Sequence, residues 1–357
     1  MAVAGTGARP VRRGRGALPL LLGCTLLCTL LGLGIGAVSI PPLDVLGILA
    51  RQVGLLPAFD ALRQSEVVLV AIRLPRVVLG VMAGAVLAVA GAAIQGLFRN
   101  PLADPGLVGV APGAAFGAVA AIVFGTRLGF GPTGLLGPWL LPLAAFLGGL
   151  VATLVVSRIA TREGNTDVTT MLLAGIAVNA VAMAGVGLFL FASDDRQLRE
   201  ATFWMMGSLA GVSWHTLLPA LLFMAAPLLL LPFRARALNA LLLGEADAFH
   251  SGFDVERTKR MIVVLVALGT GAAVALSGVI GFVGLIAPHL ARSLVGPDHR
   301  RLLPAAACVG ACLMLLADLV ARTVVVPAEL PIGVLTSGLG GPFFIWLLAR
   351  RRIGWGG

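Results

Sequence analysis

Charge is scarce in this chain, and the few charged groups inside apolar runs are the places where chemistry would have to be done. Asp318 lies in the run LLADLVAR (315–322), and Arg322 follows it by four positions on the same helical face. Ionisable groups in hydrocarbon are costly and default to functional candidates. Two chemistries fit: a local ion pair that neutralises both groups, or a proton-relay carboxylate of the kind a secondary transporter needs. No second acid sits within a span to continue a relay. Arg73 and Arg76 bracket Leu74-Pro75 at the end of another apolar run. With Arg322 they read either as snorkelling membrane anchors or as a cationic rim that receives acidic residues of a soluble partner. His215, His250, His289 and His299 fall in four different segments, so structural roles are favoured over haem ligation. Cys24, Cys28, Cys308 and Cys312 form two C-x-x-x-C pairs without polar co-ligands and read as small packing residues rather than zinc ligands.

The motifs of an enzyme are missing. There is no H-E-x-x-H and no G-x-S-x-G. A P-loop needs G-x-x-x-x-G-K-[ST], and the only lysine, Lys259, sits in Thr258-Lys259-Arg260. The chain is therefore expected to hold no metal or cofactor of its own. If it does ATP-driven work, a separate subunit must hydrolyse the ATP.

The elements that position these residues follow from composition. Hydrophobic residues make up 59% of the chain and charged residues 12%, against about 25% charged in soluble domains. A soluble fold cannot hide that much apolar surface, so the expected class is an all-α polytopic membrane protein. The +10 net charge does not signal a nucleic-acid partner. Of the 26 lysines and arginines, 18 fall on one side of the membrane and 8 on the other, which is the positive-inside bias.

Ten spans are expected, with both termini in the cytoplasm. They run over 17–38, 69–95, 106–126, 139–158, 168–192, 216–233, 261–280, a broken glycine-rich segment from 281 to the cluster Asp298–Arg301, 302–322 and 334–349. The first run is too long for a signal-peptide core and lacks an A-x-A site, so it reads as a span. Residues 1–16 and 353–357 are cytoplasmic tails around one transmembrane domain, 17–352. In 73–116 the small residues Gly80, Ala83, Gly84, Ala88, Gly91 and Ala92 are spaced to let helix backbones approach closely. Residues 193–200 are expected as an outer loop and 203–215 as a short interfacial helix. The stretch 234–260 is too apolar for a disordered linker and too charged to span, so short amphipathic helices with a turn near Ser251-Gly252 are expected. Spans two to five and seven to ten look like an inverted repeat, with Arg99–Pro101 faintly echoed by Ala287–His289.

Several motifs in order carry a resemblance: RLPR (73–76), NPLADPGLVG (100–109), LLAGIAVN (172–179), FWMMGSL (203–209), GFVGLIAPHLAR (281–292), GPDHR (296–300), LLADLVAR (315–322) and PAELPIGVLTSGLGGPFFIWLL (327–348). From Arg73 to Arg350 the chain resembles the permease subunits of bacterial ABC importers for iron–siderophore complexes, haem and cobalamin. That resemblance implies a ten-helix subunit of the bacterial inner membrane that pairs with a second copy around a central pathway. Two ATPase subunits, using ATP and Mg, lie below, and a substrate-binding protein docks above. It assigns Arg73, Arg76 and Arg322 to meeting glutamates of the binding protein, and Asn100 and Leu102 to a cytoplasmic gate. Asp167 and Val168 match a second gate loop, although they depart from its usual small hydroxyl residues. Leu243, Gly244, Glu245, Gly252, Asp254 and Arg257 match coupling helices that dock on the ATPase. DPGLVG together with LREATFWMMGSL (198–209) looks closer to haem permeases, with cobalamin as the alternative substrate. The rival readings are a secondary transporter working alone and a purely structural membrane subunit.

Overall fold

The structure is a computed structural model in which residues 16–36, 38–52, 54–55, 63–125 and 137–353 are described. The two tails, and most of the connection between the spans expected at 106–126 and 139–158, fall outside the described residues. The described chain is helical apart from one small hairpin, Thr161–Arg162 paired with Asn165–Thr166. In order the helices are α1 (Ala17–Gly34), α2 (Pro42–Gln52), α3 (Arg63–Val67), α4 (Leu74–Leu97), α5 (Val110–Phe124), α6 (Leu140–Ala160) and α7 (Val168–Phe191). They continue with α8 (Asp195–Met206), α9 (Trp214–Leu230), α10 (Ala235–Leu241), α11 (Glu245–His250), α12 (Val255–Ser277), α13 (Val283–Val295), α14 (His299–Ala321) and α15 (Ile332–Ile353).

Helix α4 is the axis. It is apolar all round, as a helix enclosed on every side must be, and α9, α12, α13 and α14 pack about it. Its glycines make this enclosure possible. A Cβ on Gly84 would run into the Gly310 carbonyl of α14, and one on Gly91 into the Gly284 carbonyl of α13. The small-residue spacing of the sequence is thus a set of backbone contacts. Gly84→Val is expected to destabilise the protein by at least about 1–3 kcal/mol, the usual penalty for overpacking. Thermal unfolding in detergent checks this, with Gly47→Ala as a control because nothing lies within 4 Å of that site.

Among the described residues seven helices are long and apolar enough to cross a bilayer, and Val110–Phe124, Val283–Val295 and Ile332–Leu347 are shorter apolar helices. At 15 residues α5 spans roughly 22 Å, short of the roughly 30 Å hydrocarbon layer. The reason lies at its start: Gly109 (φ 89°) turns the chain into α5, and Phe282 (φ 67°) does the same before α13. These two left-handed residues, rather than the elbows named above, are the matching points of two half-bundles. Pairings recur accordingly: α4 with α14 as α12 with α6, α5 with α6 as α13 with α14, and α4 with α13 as α12 with α5. A four-helix unit that occurs twice along the chain produces that pattern.

Two expectations change. The stretch 193–200 is not a loop, because Asp194 and Gln197 form a reciprocal capping box that starts α8 at Asp195; the helix stops at Gly207 (φ 74°), well before residue 215. The seventh span starts at Val255 rather than 261, capped by Asp254, so the charged ERTKR stretch forms its first turns.

Candidate functional site

At the end of the bundle assigned to the outside, Leu74 and Pro75 begin α4 directly after a π-helical turn, Val68–Arg73. The extra residue of such a turn rotates the side chains that follow, and both Arg73 and Arg76 point inward and are buried. Arg73 Nη1 donates to the carbonyls of Leu33 (2.7 Å) and Gly34 (2.9 Å), and its Nη2 donates to the Val38 carbonyl. Arg322 Nη2 donates to the Gly32 carbonyl at 2.5 Å. Two arginines therefore cap the carboxyl end of α1, where unpaired carbonyls carry the negative end of the helix dipole. Arg76 Nε and Nη2 meet Asp318 at 2.8 Å, and Nη1 and Nη2 form a fork on Glu329, each at 2.9 Å. Asp318, only 1% exposed, also faces Arg322 Nε at 3.6 Å. The fork holds the Glu329 carboxyl below its ordinary range.

The structure thus brings the three sequence-selected arginines together, but not as a free rim. Most of the donors of Arg73 and Arg76, and Nη2 of Arg322, are engaged by this chain's own carbonyls and carboxylates, while Arg322 Nε is buried without a hydrogen bond. The i,i+4 pair of Asp318 and Arg322 is present, with Arg76 as an additional cation. Glu329 was missed because a loop acid eleven positions after Asp318 has no helical spacing to flag it.

At the opposite end, α4 finishes in the elbow Arg99-Asn100-Pro101, with Arg99 in the left-handed region (φ 49°). Asn100 Oδ1 accepts the Leu102 N–H at 2.9 Å, so the two elbow residues brace one another. Gln95 accepts Arg292 Nη2 at 2.9 Å, and a Cβ on Gly96 would lie 2.8 Å from His299 Nε2. His299 Nδ1 meets Asn239 Oδ1 of α10 at 2.8 Å, while Asn239 donates to Asp298 at 2.6 Å. A cavity of about 350 Å³ joins Arg99 and Pro101 to Leu242, Arg292 and His299. Asp298 caps α14; burial opposes its ionisation, but the Asn239 amide and the Arg300 N–H outweigh that and hold it below the carboxylate range. The other histidines pack elsewhere: His215 on Trp139, His250 on Phe249 and His289 on Phe343. The cysteines are free thiols on α1 and α14, with Thr25 Oγ1 3.4 Å from Cys312 Sγ.

Asp167 and Val168 open α7. Asp167 accepts the Thr170 hydroxyl at 2.5 Å and the Thr170 N–H at 2.7 Å, and these bonds hold its exposed carboxyl below the usual range. It acts as a helix cap. Among the described residues no hydrogen bond or ion pair joins Asp167 or Val168 to Asn100 or Leu102 within the chain.

The coupling residues form a platform. Leu243 and Phe249 are 75% and 69% exposed. Gly244 (φ 137°) and Gly252 (φ 84°) make the turns on either side of α11. Asp254 accepts the Arg257 N–H at 2.9 Å, and a concave surface runs over Asn165, Glu245, Phe249, Gly252, Phe253 and Glu256. Beneath it lies Lys259, 2% exposed. Its Nζ donates to Glu245 of α11 (2.6 Å), Glu256 (2.9 Å) and the Thr166 carbonyl of the hairpin (2.7 Å). Glu256 in turn accepts the Thr166 N–H at 2.9 Å. One buried ammonium therefore ties platform, span and the hairpin before α7 into a single knot. Sequence reading missed Lys259, Glu256 and Thr166; the i,i+3 spacing of Glu256 and Lys259 was the available signal.

Comparison with known proteins places this geometry. A model of the FecCD transport family matches residues 24–350. The hemin transport system permease protein HmuU of Yersinia pestis is 48% identical over 281 residues, 79% of this chain and 83% of that protein. The cobalamin import system permease protein BtuC of Halobacterium salinarum is 44% identical over 295 residues, 83% of this chain and 77% of that one. A solved structure described as an inward-facing conformation of a metal-chelate type ABC transporter superposes with a TM-score of 0.80 at 33% identity, covering 94% of this chain and 99% of the other. The match extends from the capped first helix to the last span, and the chain belongs to the FecCD transport family.

Proposed function

We propose that this chain is the membrane-spanning permease subunit of an ABC importer in the bacterial inner membrane. Its cargo is a bulky chelate delivered by a soluble binding protein: haem in the first place, given the hemin permease relative, with a corrinoid or ferric siderophore as the alternatives. Two copies enclose the pathway, and α7 and α15, whose apolar faces are largely exposed in the single chain, are the surfaces that meet. Ten spans place both termini in the cytoplasm. Asn100 and Leu102 at one elbow and Asp167 and Val168 at the head of α7 narrow the inner end, and the facing copy supplies their opposite halves. A binding protein docks on the outer face; Arg73, Arg76 and Arg322 hold that face in register and leave it one positive charge in excess over Asp318 and Glu329.

The observation that carries this reading is the platform of α10 and α11. It is an apolar surface with Leu243 and Phe249 uncovered on a long charged stretch that does not span, in a chain whose sequence shows no nucleotide-binding loop. Exposed apolar groups of that kind mark a protein contact. Leu243→Asp combined with Phe249→Asp is expected to lower co-purification of the ATPase subunit with the full chain at least tenfold. Undiminished co-purification would remove the platform from the interface. A secondary transporter fits less well, because the Asp318 carboxylate is buried between two guanidiniums rather than open to a pathway.

A further inference from the structure

A second cavity, about 560 Å³, lies on the flank of the bundle away from α4. Leu150, Thr153 and Leu154 of α6 form one wall and Val263, Val264 and Leu268 of α12 the other. Three of its wall hydroxyls are already engaged: Thr153 donates to the Gly149 carbonyl at 3.0 Å, and Thr161 and Thr166 share a hydroxyl contact at 3.0 Å, so away from the arginines the lining is mainly apolar. The cavity therefore offers hydrocarbon to whatever enters. Leu154 and Val264 at its rim are exposed, so it opens to the side of the bundle and not into the core.

Its cytoplasmic end is different. Arg158 closes the end of α6 and Arg260 the first turns of α12; both line the cavity and both are exposed. Neither has an ion-pair or hydrogen-bond partner among the described residues. Lys259 beside them is neutralised by Glu245 and Glu256, so the positive charge at the mouth belongs to the two arginines. An apolar slot in the depth of the inner leaflet, ending in two unpaired guanidiniums at headgroup level, has the chemistry of one ligand class. The geometry points to a binding site for an anionic phospholipid, with an acyl chain between α6 and α12 and its phosphate on Arg158 and Arg260. Guanidinium groups suit phosphate oxygens by their planar fork, and the cytoplasmic leaflet is the one rich in anionic lipid. The floor of this slot touches Thr166 and Lys259, so the bound lipid would sit against the knot between platform and hairpin.

Each arginine is expected to add about fivefold to the preference for an anionic over a zwitterionic headgroup, and both together roughly twentyfold. The test is native mass spectrometry of the full chain released from nanodiscs containing equal amounts of phosphatidylglycerol and phosphatidylcholine. Retained phosphatidylglycerol is expected in the unaltered protein. It should fall about twentyfold in Arg158→Ala/Arg260→Ala and stay unchanged in Arg300→Ala/Arg301→Ala, where the arginines lie outside the cavity. Leu154→Trp, which fills the slot and keeps both charges, should also lose the retained lipid. Equal retention of the two lipids by the unaltered protein would overturn the proposal. So would an undiminished preference in both the double-alanine and the tryptophan variants.

Discussion

Lys259→Met is expected to stop transport almost completely while the ATPase still binds and still hydrolyses ATP. The methionine keeps most of the volume but removes the ammonium that joins α11, α12 and the Thr161–Thr166 hairpin, leaving the Glu256 bond to the Thr166 N–H. Breaking a fully buried pair costs about 3–5 kcal/mol. Here the loss should be smaller, because the side chains of Glu245 and Glu256 are 42% and 22% exposed and can turn to water. The variant should therefore insert and fold, and the damage should appear in coupling. A transport rate at least tenfold down with ATP hydrolysis within twofold of normal is the expected signature in proteoliposomes. Adding Glu245→Gln and Glu256→Gln removes the stranded carboxylates, so it should restore thermal stability and leave transport low. If transport instead recovers along with stability, Lys259 is a structural staple and no more.

The largest effect on folding is expected at Asp318. Removing its carboxylate leaves Arg76 with Glu329 alone and Arg322 with no acid, both inside the protein. Asp318→Ala should cost about 3–5 kcal/mol, the range for an uncompensated buried charge, and most of the protein should fail to accumulate. Asp318→Asn keeps the shape and should lose less. The proton-relay alternative makes a different forecast: a stable protein, transport lost, and a pH profile shifted. Glu329 supplies an independent pH handle. Its folded-state pKa is depressed by Arg76, so its contribution is present above the unfolded value of about 4.3 and is lost as pH falls through the lower folded value. Unfolding in detergent between pH 7 and pH 3 should show that acid-side loss, and Glu329→Gln should blunt it.

Much of this architecture was legible because membrane helices leave strong marks. Long apolar runs, the arginine asymmetry and the glycine spacing at Gly84 and Gly91 each follow from a rule that acts locally along the chain. Features that depend on distant partners were not legible. Arg73, Arg76 and Arg322 read as outward-facing because positive charge at an outer helix end normally seeks water. Only the folded chain reveals that the open carbonyls of α1 and two acids, one of them in a loop, take up all three. Lys259 is similar: the i,i+3 spacing marks Glu256, but its bonds to Thr166 and Glu245 join segments that the sequence does not place together. The start of α12 was misplaced by six residues because charged side chains read as loop, whereas a helix tolerates them once Lys259 and Glu256 neutralise one another. The early start of α8 rested on a capping box that the acidic run SDD disguised.

In the proposed function, energy enters this chain from an ATPase at the α10–α11 platform. The most direct measurement is uptake of haem, cobalamin and a ferric siderophore in turn into proteoliposomes that carry the full chain and its ATPase, with the binding protein outside. Uptake of one of these chelates is expected only when ATP, ATPase and binding protein are all present, and none from a proton gradient alone. Uptake driven by a proton gradient in vesicles that contain this chain and no ATPase would contradict it.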